Sequence, residues 1–317
     1  MKTSPLTGRT AHSAGRRLAL VLALLSATFP AAAWNGAGHR LVAAIAWEYL
    51  HPEVRDEVDV LLRRHPDHAR WLRRAKGDDS ARMAFIESST WPDEIRQDTR
   101  FYSAGSDEPT PTLPGYPDME RRRNWHYVNI PLDATAEHAP LSGLLDRQLA
   151  ELTQTLESST DEQERRYALP WVIHLVGDAH QPLHTSVRLD KAGRWDKLGN
   201  GLEVHNPFNT RKPVSTLHAY WDDLPGPPWL RGNPLDAAAR ALIATYPRPA
   251  PSVSSKPWIR ESWEIAREHG YPPQSEATPT ITSAFFENSR EIASRRVTQA
   301  GYRLADLLNQ AMRPQSR

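Results

Sequence analysis

The chain has no cysteine, and only four methionines and six phenylalanines stand among its 317 residues. Without cysteine there is no disulfide to staple the fold and no thiolate to hold a metal. Any metal must therefore sit on histidine, carboxylate or backbone groups. An excess of charge of one sign is also missing, since 39 Lys and Arg face 38 Asp and Glu. That balance excludes a generic basic nucleic-acid binder, which relies on a field of Lys and Arg. A long apolar run is absent as well. The apolar stretch from Leu18 to Phe29 falls well short of the roughly 20 residues a membrane-spanning helix needs. No repeat at a solenoid period is visible.

The short apolar stretch has a different reading. The residues before it carry Lys2, Arg9, Arg16 and Arg17 and no acid, and Ala31-Ala32-Ala33 follows it. Basic, then apolar, then small is the layout of a secretory signal peptide. We expect residues 1–33 to be cleaved, leaving 34–317 as one domain that is secreted or periplasmic. The mature chain would have 317 − 33 = 284 residues and a formal charge of 35 − 38 = −3. The Arg16-Arg17 pair leaves Sec and twin-arginine export both open.

Thirteen histidines and eleven tryptophans are present. Apolar residues recur at helical spacing over 41–50, 53–64, 81–88, 141–156, 162–180, 215–223 and 280–312. The last carries Ile281, Phe285, Ile292, Val297, Leu304 and Leu308 on one face. A loop is predicted for 96–123, an extended piece for 124–131 and a loop or hairpin for 191–213. Proline-rich connectors are predicted for 225–234 and 247–257. The fold class predicted is all-α, in a single domain.

Five segments carry chemistry. In Trp171-Val-Ile-His174-Leu-Val-Gly-Asp178-Ala-His180-Gln-Pro-Leu-His184, His174 and Asp178 share one helix face. His184 follows just past Pro182. Any one of these reads as a satisfied core residue, but together on an apolar helix they point to a metal. In Thr216-Leu-His218-Ala-Tyr-Trp-Asp222-Asp223, the same i, i+4 pairing recurs. Two residues here and a histidine from elsewhere make three ligands and leave open positions, as a catalytic zinc requires. Ser89-Thr-Trp91-Pro92-Asp93-Glu94-Ile95-Arg96 reads equally as a helix start or as a site acid with an arginine in reach. His126, in Asn124-Trp-His126-Tyr127-Val-Asn129-Ile-Pro131, is alone an ordinary half-buried histidine. Trp34-Asn-Gly-Ala-Gly-His39 reads either as a frayed terminus or as a ligand set. In the second reading a free α-amino group and its own carbonyl chelate a metal, and two glycines let the backbone fold back towards His39.

In this order the segments resemble the class I zinc-dependent nucleases of plants and fungi, the S-one/P-one type. That family shares its fold with bacterial zinc-dependent phospholipases C. The resemblance rests on Trp34 at the predicted terminus, Trp91-x-Asp93-x-x-Arg96, the His174 to His184 stretch and His218-x-x-x-Asp222. It runs from Trp34 to about Asp223 and less clearly to the C-terminal helix. The lack of cysteine departs from the disulfide-bonded eukaryotic members and suits a bacterial one.

The resemblance implies a mainly helical domain with long loops around a cleft for three zinc ions. Asp93, His126, His174 and Asp178 match the ligands of one zinc. The amino group and carbonyl of Trp34, with His39 and Asp178, match those of a second. His184, His218 and Asp222 match those of a third, more separate ion. Arg96 matches a phosphate-facing arginine, and Tyr127 a base-stacking aromatic. Asn129 stands where some relatives carry Asp, and Asn200 lies in a loop that resembles one near the site. His180, with His51, His65, His68, His138, His205 and His269, matches no ligand.

The activity so implied is hydrolysis of single-stranded DNA and RNA to 5′-phosphate products, with 3′-nucleotidase activity on nucleotides. Asp93 would orient or deprotonate the attacking water and Arg96 would offset transition-state charge. The expected protein is a monomer without stable membrane association. Two rivals stand beside this reading. A phospholipase C on the same scaffold usually ends the last motif in Glu, where this chain has Asp222. A zinc-binding protein without turnover would close its coordination, whereas these triads leave positions open.

Overall fold

A computed structural model describes residues 34–134, 140–189, 192–273 and 278–313. The expected leader, 1–33, and His138 lie outside them. The elements run, in chain order, α1 (Gly36–Tyr49), α2 (Pro52–Arg63), α3 (His68–Arg74), α4 (Ser80–Ser88), α5 (Trp91–Glu94) and β1 (Ile130–Pro131). Then come α6 (Leu145–Ser158), α7 (Glu162–Asp178), β2 (Ser186–Val187), β3 (Glu203–His205), β4 (Val214–Thr216) and α8 (Leu217–Asp223). The chain ends with α9 (Gly232–Thr245), α10 (Ser255–His269) and α11 (Ser283–Ala311). The fold is mainly helical, as expected. Among the described residues, the named strands make a parallel β1–β2 pair and an antiparallel β3–β4 hairpin.

Burial explains the arrangement. α1 is apolar almost all round, and eleven of its fourteen residues are buried, so it must be covered on every side. It packs on α11, α9, α4 and α7. The side chain of Asn35 starts it by accepting from the Ala37 and Gly38 amides. α7 is buried without a break from Tyr167 to Asp178 despite Pro170 inside it. α6, α2, α11, α5 and α1 pack around it. α2, α6 and α10 are amphipathic and lie over this centre with one face wet. Hydrophobic burial at about 25 cal/mol per Å² takes the place of disulfides.

Several local readings need correction. α1 begins at Gly36, so Gly36 and Gly38 lie within a helix and His39 projects from its second turn. The segment 124–131 forms a strand only at Ile130–Pro131, with an isolated bridge from Val128 to Gly143, and it begins in a 3-10 turn, Arg123–Trp125. Residues 141–144 precede α6 and are not helical. α3, α9 and α10 are helices that periodicity did not reveal. α3 has only seven residues and one buried, Trp71. α9 buries only Leu235 and Ala239 fully. α10 starts inside the proline-rich stretch taken as a connector.

His65 illustrates what this core demands. It is buried between Trp71 and Trp91, stacked on the first at 4.6 Å. Its Nδ1 accepts from the Asp67 amide at 3.1 Å. Burial pushes its pKa down from 6.5 to about 3. Between those values the unfolded chain takes up a proton that the native one refuses, so stability falls as pH drops below 6.5. At full effect one such proton contributes about 1.4 kcal/mol per pH unit. Urea unfolding from pH 6.5 to pH 4 should therefore show a shallower decline for His65→Phe than for the parent. Equal slopes would mean that folded His65 protonates freely.

Candidate metal centre and active site

The site is built where α7 ends, between α1, α5 and α8. Each donor has a structural reason for its position. Asp93 is placed by Trp91, whose Nε1 donates to buried Asp67 at 2.7 Å. Tyr116 and Arg100 donate to the same carboxylate. Burial works against the charge of Asp67, but these donors hold its pKa below the usual range. His39 reaches across from α1 because residue 177 is glycine. A Cβ there would lie 2.8 Å from His39 Nδ1. The space lets His39 stack on His174 with ring centroids 3.8 Å apart. Trp34 is wholly buried, and the next residue is tied to α8. The Asn35 amide donates to the Asp222 carbonyl at 3.0 Å, and its side chain donates to Asp223 and the Gly226 carbonyl.

Three groups of donor atoms result. They are His39, His174 and Asp178; Asp93, His126 and His174; and His184, His218 and Asp222. Eight of the nine ligand residues named from sequence make up these groups, Trp34 being in none of them, and the first two groups share His174. His126 Nδ1 lies 3.0 Å from His174 Nε2 in its own group and 3.1 Å from Asp178 Oδ2 of the first. His39 Nε2 is 3.5 Å from Asp178 Oδ1. His184 and His218 face each other, Nε2 to Nε2, at 3.2 Å.

The chemistry of these donors fits a cation. His174 Nδ1 donates to the Ser89 carbonyl at 2.8 Å, His184 Nδ1 to the His126 carbonyl at 2.6 Å, and His218 Nδ1 to the Leu198 carbonyl at 2.7 Å. A carbonyl can only accept, so in each ring the proton sits on Nδ1 and Nε2 presents a lone pair. The lone pairs of His184 and His218 therefore oppose each other. A cation between them turns that repulsion into coordination, and an outward N–H to a carbonyl is the usual support of a metal-bound histidine. Both ring nitrogens of His39, Nε2 of His126 and Oδ1 of Asp178 are buried without a hydrogen-bond partner. Burial holds His39, His126 and His184 far below the ordinary imidazole pKa, so they are neutral donors. Burial opposes a charge on His174 too, but Asp178 and Asp93 lift its pKa above the ordinary value. Burial raises Asp178 to about 6 and raises Asp222 as well.

His180 shows the contrast. It is as buried as the others, but its Nδ1 donates to the Val176 carbonyl at 2.7 Å and its Nε2 accepts from Arg303 at 2.9 Å. Both nitrogens are used by protein, which fits its reading as a non-ligand. His51, His65, His68, His205 and His269 also stay outside the three groups.

Arg96 lies three residues after Asp93, with Nη1 at 3.3 Å from its carboxylate. Its Nε is buried without a partner. Tyr127 follows His126, is half-buried, and its ring lies close to Gly143. Asn129 Nδ2 donates to Ser142 at 2.7 Å, and Asn200 Nδ2 donates to the Lys197 carbonyl at 2.8 Å. Three contributors were not foreseen. Gln181 donates to Asp222 at 2.8 Å while its Oε1 takes the Leu183 amide at 2.6 Å. Ser89 serves through its carbonyl. So does Leu198, which with Lys197 adopts a left-handed backbone, φ 63° and 53°. Such residues cost about 1–3 kcal/mol each. Only Gln181 left a sequence signal, its place between Asp178 and His184.

A model of the S1/P1 nuclease family matches residues 34–313. The chain belongs to this family. It is 26% identical to endonuclease 3 of Arabidopsis thaliana over 91% of its own length and 92% of that protein. It is 21% identical to nuclease PA3 of a Penicillium species over 87% and 97%. With nuclease S1 of Aspergillus oryzae it shares 24% over 64% of its length and 57% of the relative. The family makes this chain a phosphodiesterase of nuclease type. The family is zinc-dependent in general, and the His and Asp groups above could hold a metal.

Asp178 reaches donors of both of the first two groups, 3.5 Å from His39 and 3.1 Å from His126, whereas His218 stands in one group, so their removal should differ. Calorimetric zinc titration of the metal-free protein should lose more sites in Asp178→Ala than in His218→Ala. Gln181→Leu should keep the ligand count but weaken one site about 10- to 100-fold. Identical losses in Asp178→Ala and His218→Ala would contradict the shared position of Asp178.

Proposed function

We propose that the mature protein, beginning at Trp34, is an exported endonuclease that cleaves single-stranded DNA and RNA to 5′-phosphate products and acts on 3′-nucleotides. The observation that carries this reading is the set of three His/Asp groups converging beside the Asp93–Arg96 pair in a nuclease-family chain. Asp93, His126, His174 and Asp178 would hold one zinc. Trp34, His39 and Asp178 would hold a second, and His184, His218 and Asp222 a third, giving three per chain. Bound zinc would offset phosphate charge and bring the pKa of water towards neutrality.

The protein's own residues do the rest. The Asp93 side chain, 16% exposed, reaches solvent, whereas that of Asp178 is wholly buried. Asp93 is therefore the carboxylate that can orient an incoming water and accept its proton. Arg96 presents a guanidinium with an unpartnered Nε, suited to two phosphate oxygens. Water oxygen bonds to phosphorus as the bond to the 3′-oxygen breaks, and the proton released by water offsets the one the 3′-oxygen gains. His184 and His218 stand on the leaving-group side of this scheme. Tyr127 offers a ring on which a base can stack, which contributes about 1–3 kcal/mol and tolerates any base. Bases in duplex are already stacked, so single strands are preferred. No helix among the described residues is long and apolar enough to cross a membrane, and we take the protein to be a monomer.

Export is supported by the leader's layout and by the family match beginning at Trp34, where the free amino group would arise. A peptide nitrogen is a poor ligand, so a variant with one extra residue before Trp34 should lose one zinc and most activity. Unimpaired turnover in that variant would remove the terminal ligand. The main test sets mature protein against single-stranded DNA, duplex DNA, RNA and phosphatidylcholine, with and without chelator. Chelator-sensitive cleavage of both single-stranded nucleic acids is expected. Cleavage of lipid alone would move the chain to the phospholipase reading.

A further inference from the structure

We propose that a second surface, outside the His/Asp cleft, binds single-stranded nucleic acid through Trp229 and a ring of cations. A concavity of about 630 Å3 is lined by Arg73, Arg74, Lys76, Trp229 and Arg231. Arg211, from the turn of the β3–β4 hairpin, lies over the Trp229 ring at 5.3 Å from its centroid. Trp229 is 59% exposed, the most exposed large apolar side chain among the described residues. Arg74 pairs with Glu94, and Arg231 with Glu87. Arg73, Lys76 and Arg211 have no carboxylate partner among the described residues.

The display of Trp229 is held rigid from inside. Arg40, 3% exposed, donates to the Pro228 carbonyl at 2.9 Å and to that of Leu230 at 3.4 Å. Arg231 forks onto Glu87 at 2.7 and 3.1 Å, and Arg40 Nε lies 3.3 Å from the same carboxylate. Gly232, in the left-handed region at φ 59°, closes the loop against Lys76, two residues past α3. A Cβ there would lie 2.9 Å from that of Lys76. Holding a buried and a half-buried arginine on one buried glutamate is costly unless every group is well bonded. Here that device fixes a loop whose side chain at 229 points into water.

The chemistry selects the ligand. An exposed ring among cations matches an anion that also carries flat faces, which a nucleic-acid strand supplies at every residue. A duplex offers the phosphates but no free base face. A membrane surface calls for a wider apolar area than one ring. The cations are a local feature, since the chain from Trp34 onward carries a formal −3, from 35 basic and 38 acidic residues. The surface is fastened to the walls of the cleft. Arg74 bridges to Glu94 beside Asp93, and the Trp229 loop follows directly from α8 with His218 and Asp222. Long substrates would thus be held at two places and short ones at one. The effect on turnover rests on the nuclease reading, while binding itself does not.

The test compares mature parent, Trp229→Ala and the triple variant Arg73→Ser, Lys76→Ser, Arg211→Ser. In chelated protein, binding of a long oligothymidylate is measured by fluorescence anisotropy across a salt series. Trp229→Ala should weaken it about 5- to 100-fold. The triple variant should reduce the magnitude of the salt slope by about 2, from roughly 0.7 per phosphate contact. In zinc-loaded protein, both should raise KM for the long strand and leave dinucleotide cleavage unchanged. Loss of strand binding in these variants without cleavage by any form would keep the surface and remove the nuclease reading. The proposal is overturned if both variants bind the strand like the parent, if dinucleotide and long-strand cleavage fall together, or if duplex or anionic phosphatidylglycerol vesicles compete as well as the single strand.

Discussion

Three imidazoles at the centre of this protein turn their protons outward to backbone carbonyls, and much of the surrounding structure serves that constraint. His174, His184 and His218 donate from Nδ1 to Ser89, His126 and Leu198. A carbonyl placed for this purpose must come from chain that is not using it in a helix or ladder. That accounts for the position of the three acceptors. Ser89 lies just past α4, His126 just past a 3-10 turn, and Leu198 in a pair of left-handed residues. The helices provide burial and direction, while the irregular segments between them set the tautomer. In water an imidazole exchanges its two tautomers freely, so both parts are needed to hold lone pairs facing one point.

His180 shows that burial and position on α7 are not enough. It sits two residues beyond Asp178, but Arg303 donates to its Nε2. Arg303 and Arg296 share the carboxylate of Glu261, and Arg296 also donates to the His180 carbonyl. This network ties the end of α7 to α10 and α11. The cleft side of the same turn carries uncompensated lone pairs, whereas the rear carries cations matched to an anion and a carbonyl. A metal is favoured on one side and excluded from the other by like charge, within a few residues of chain.

The site was largely legible because its ligands come in short-range pairs. His174 with Asp178, and His218 with Asp222, sit at a spacing that only needs a helix to bring them together. His39 and His126 were legible only through family order, since nothing near them in sequence marks a ligand. The supporting groups were mostly silent. Ser89 and Leu198 act through carbonyls, which every residue possesses, so side-chain identity carries no trace of the role. The Arg303 contact that occupies His180 spans 123 positions. Among the helices, long buried α11 and α7 announced themselves by apolar spacing. α9 was missed because it buries two residues fully, too few to write a period. The 124–131 segment reads as strand from its β-branched and aromatic residues, but the strand is confined to Ile130–Pro131, with Val128 in an isolated bridge to Gly143.

Burial also divides the work among the three acids of the cleft. Asp178 is wholly buried between His39, His126 and His174, with a raised pKa. Asp222 has one oxygen engaged by Gln181 and is likewise raised by burial. For both, charge is costly unless a cation is close, so they are suited to holding a metal and poorly suited to exchanging protons with solvent. Asp93 differs in having a water-facing edge and a guanidinium neighbour in Arg96. Of the three acids it alone combines contact with water and an arginine neighbour. The exposure gradient that buries Asp178 and Asp222 thus matches the division proposed above, in which Asp93, beside Arg96, meets the incoming water.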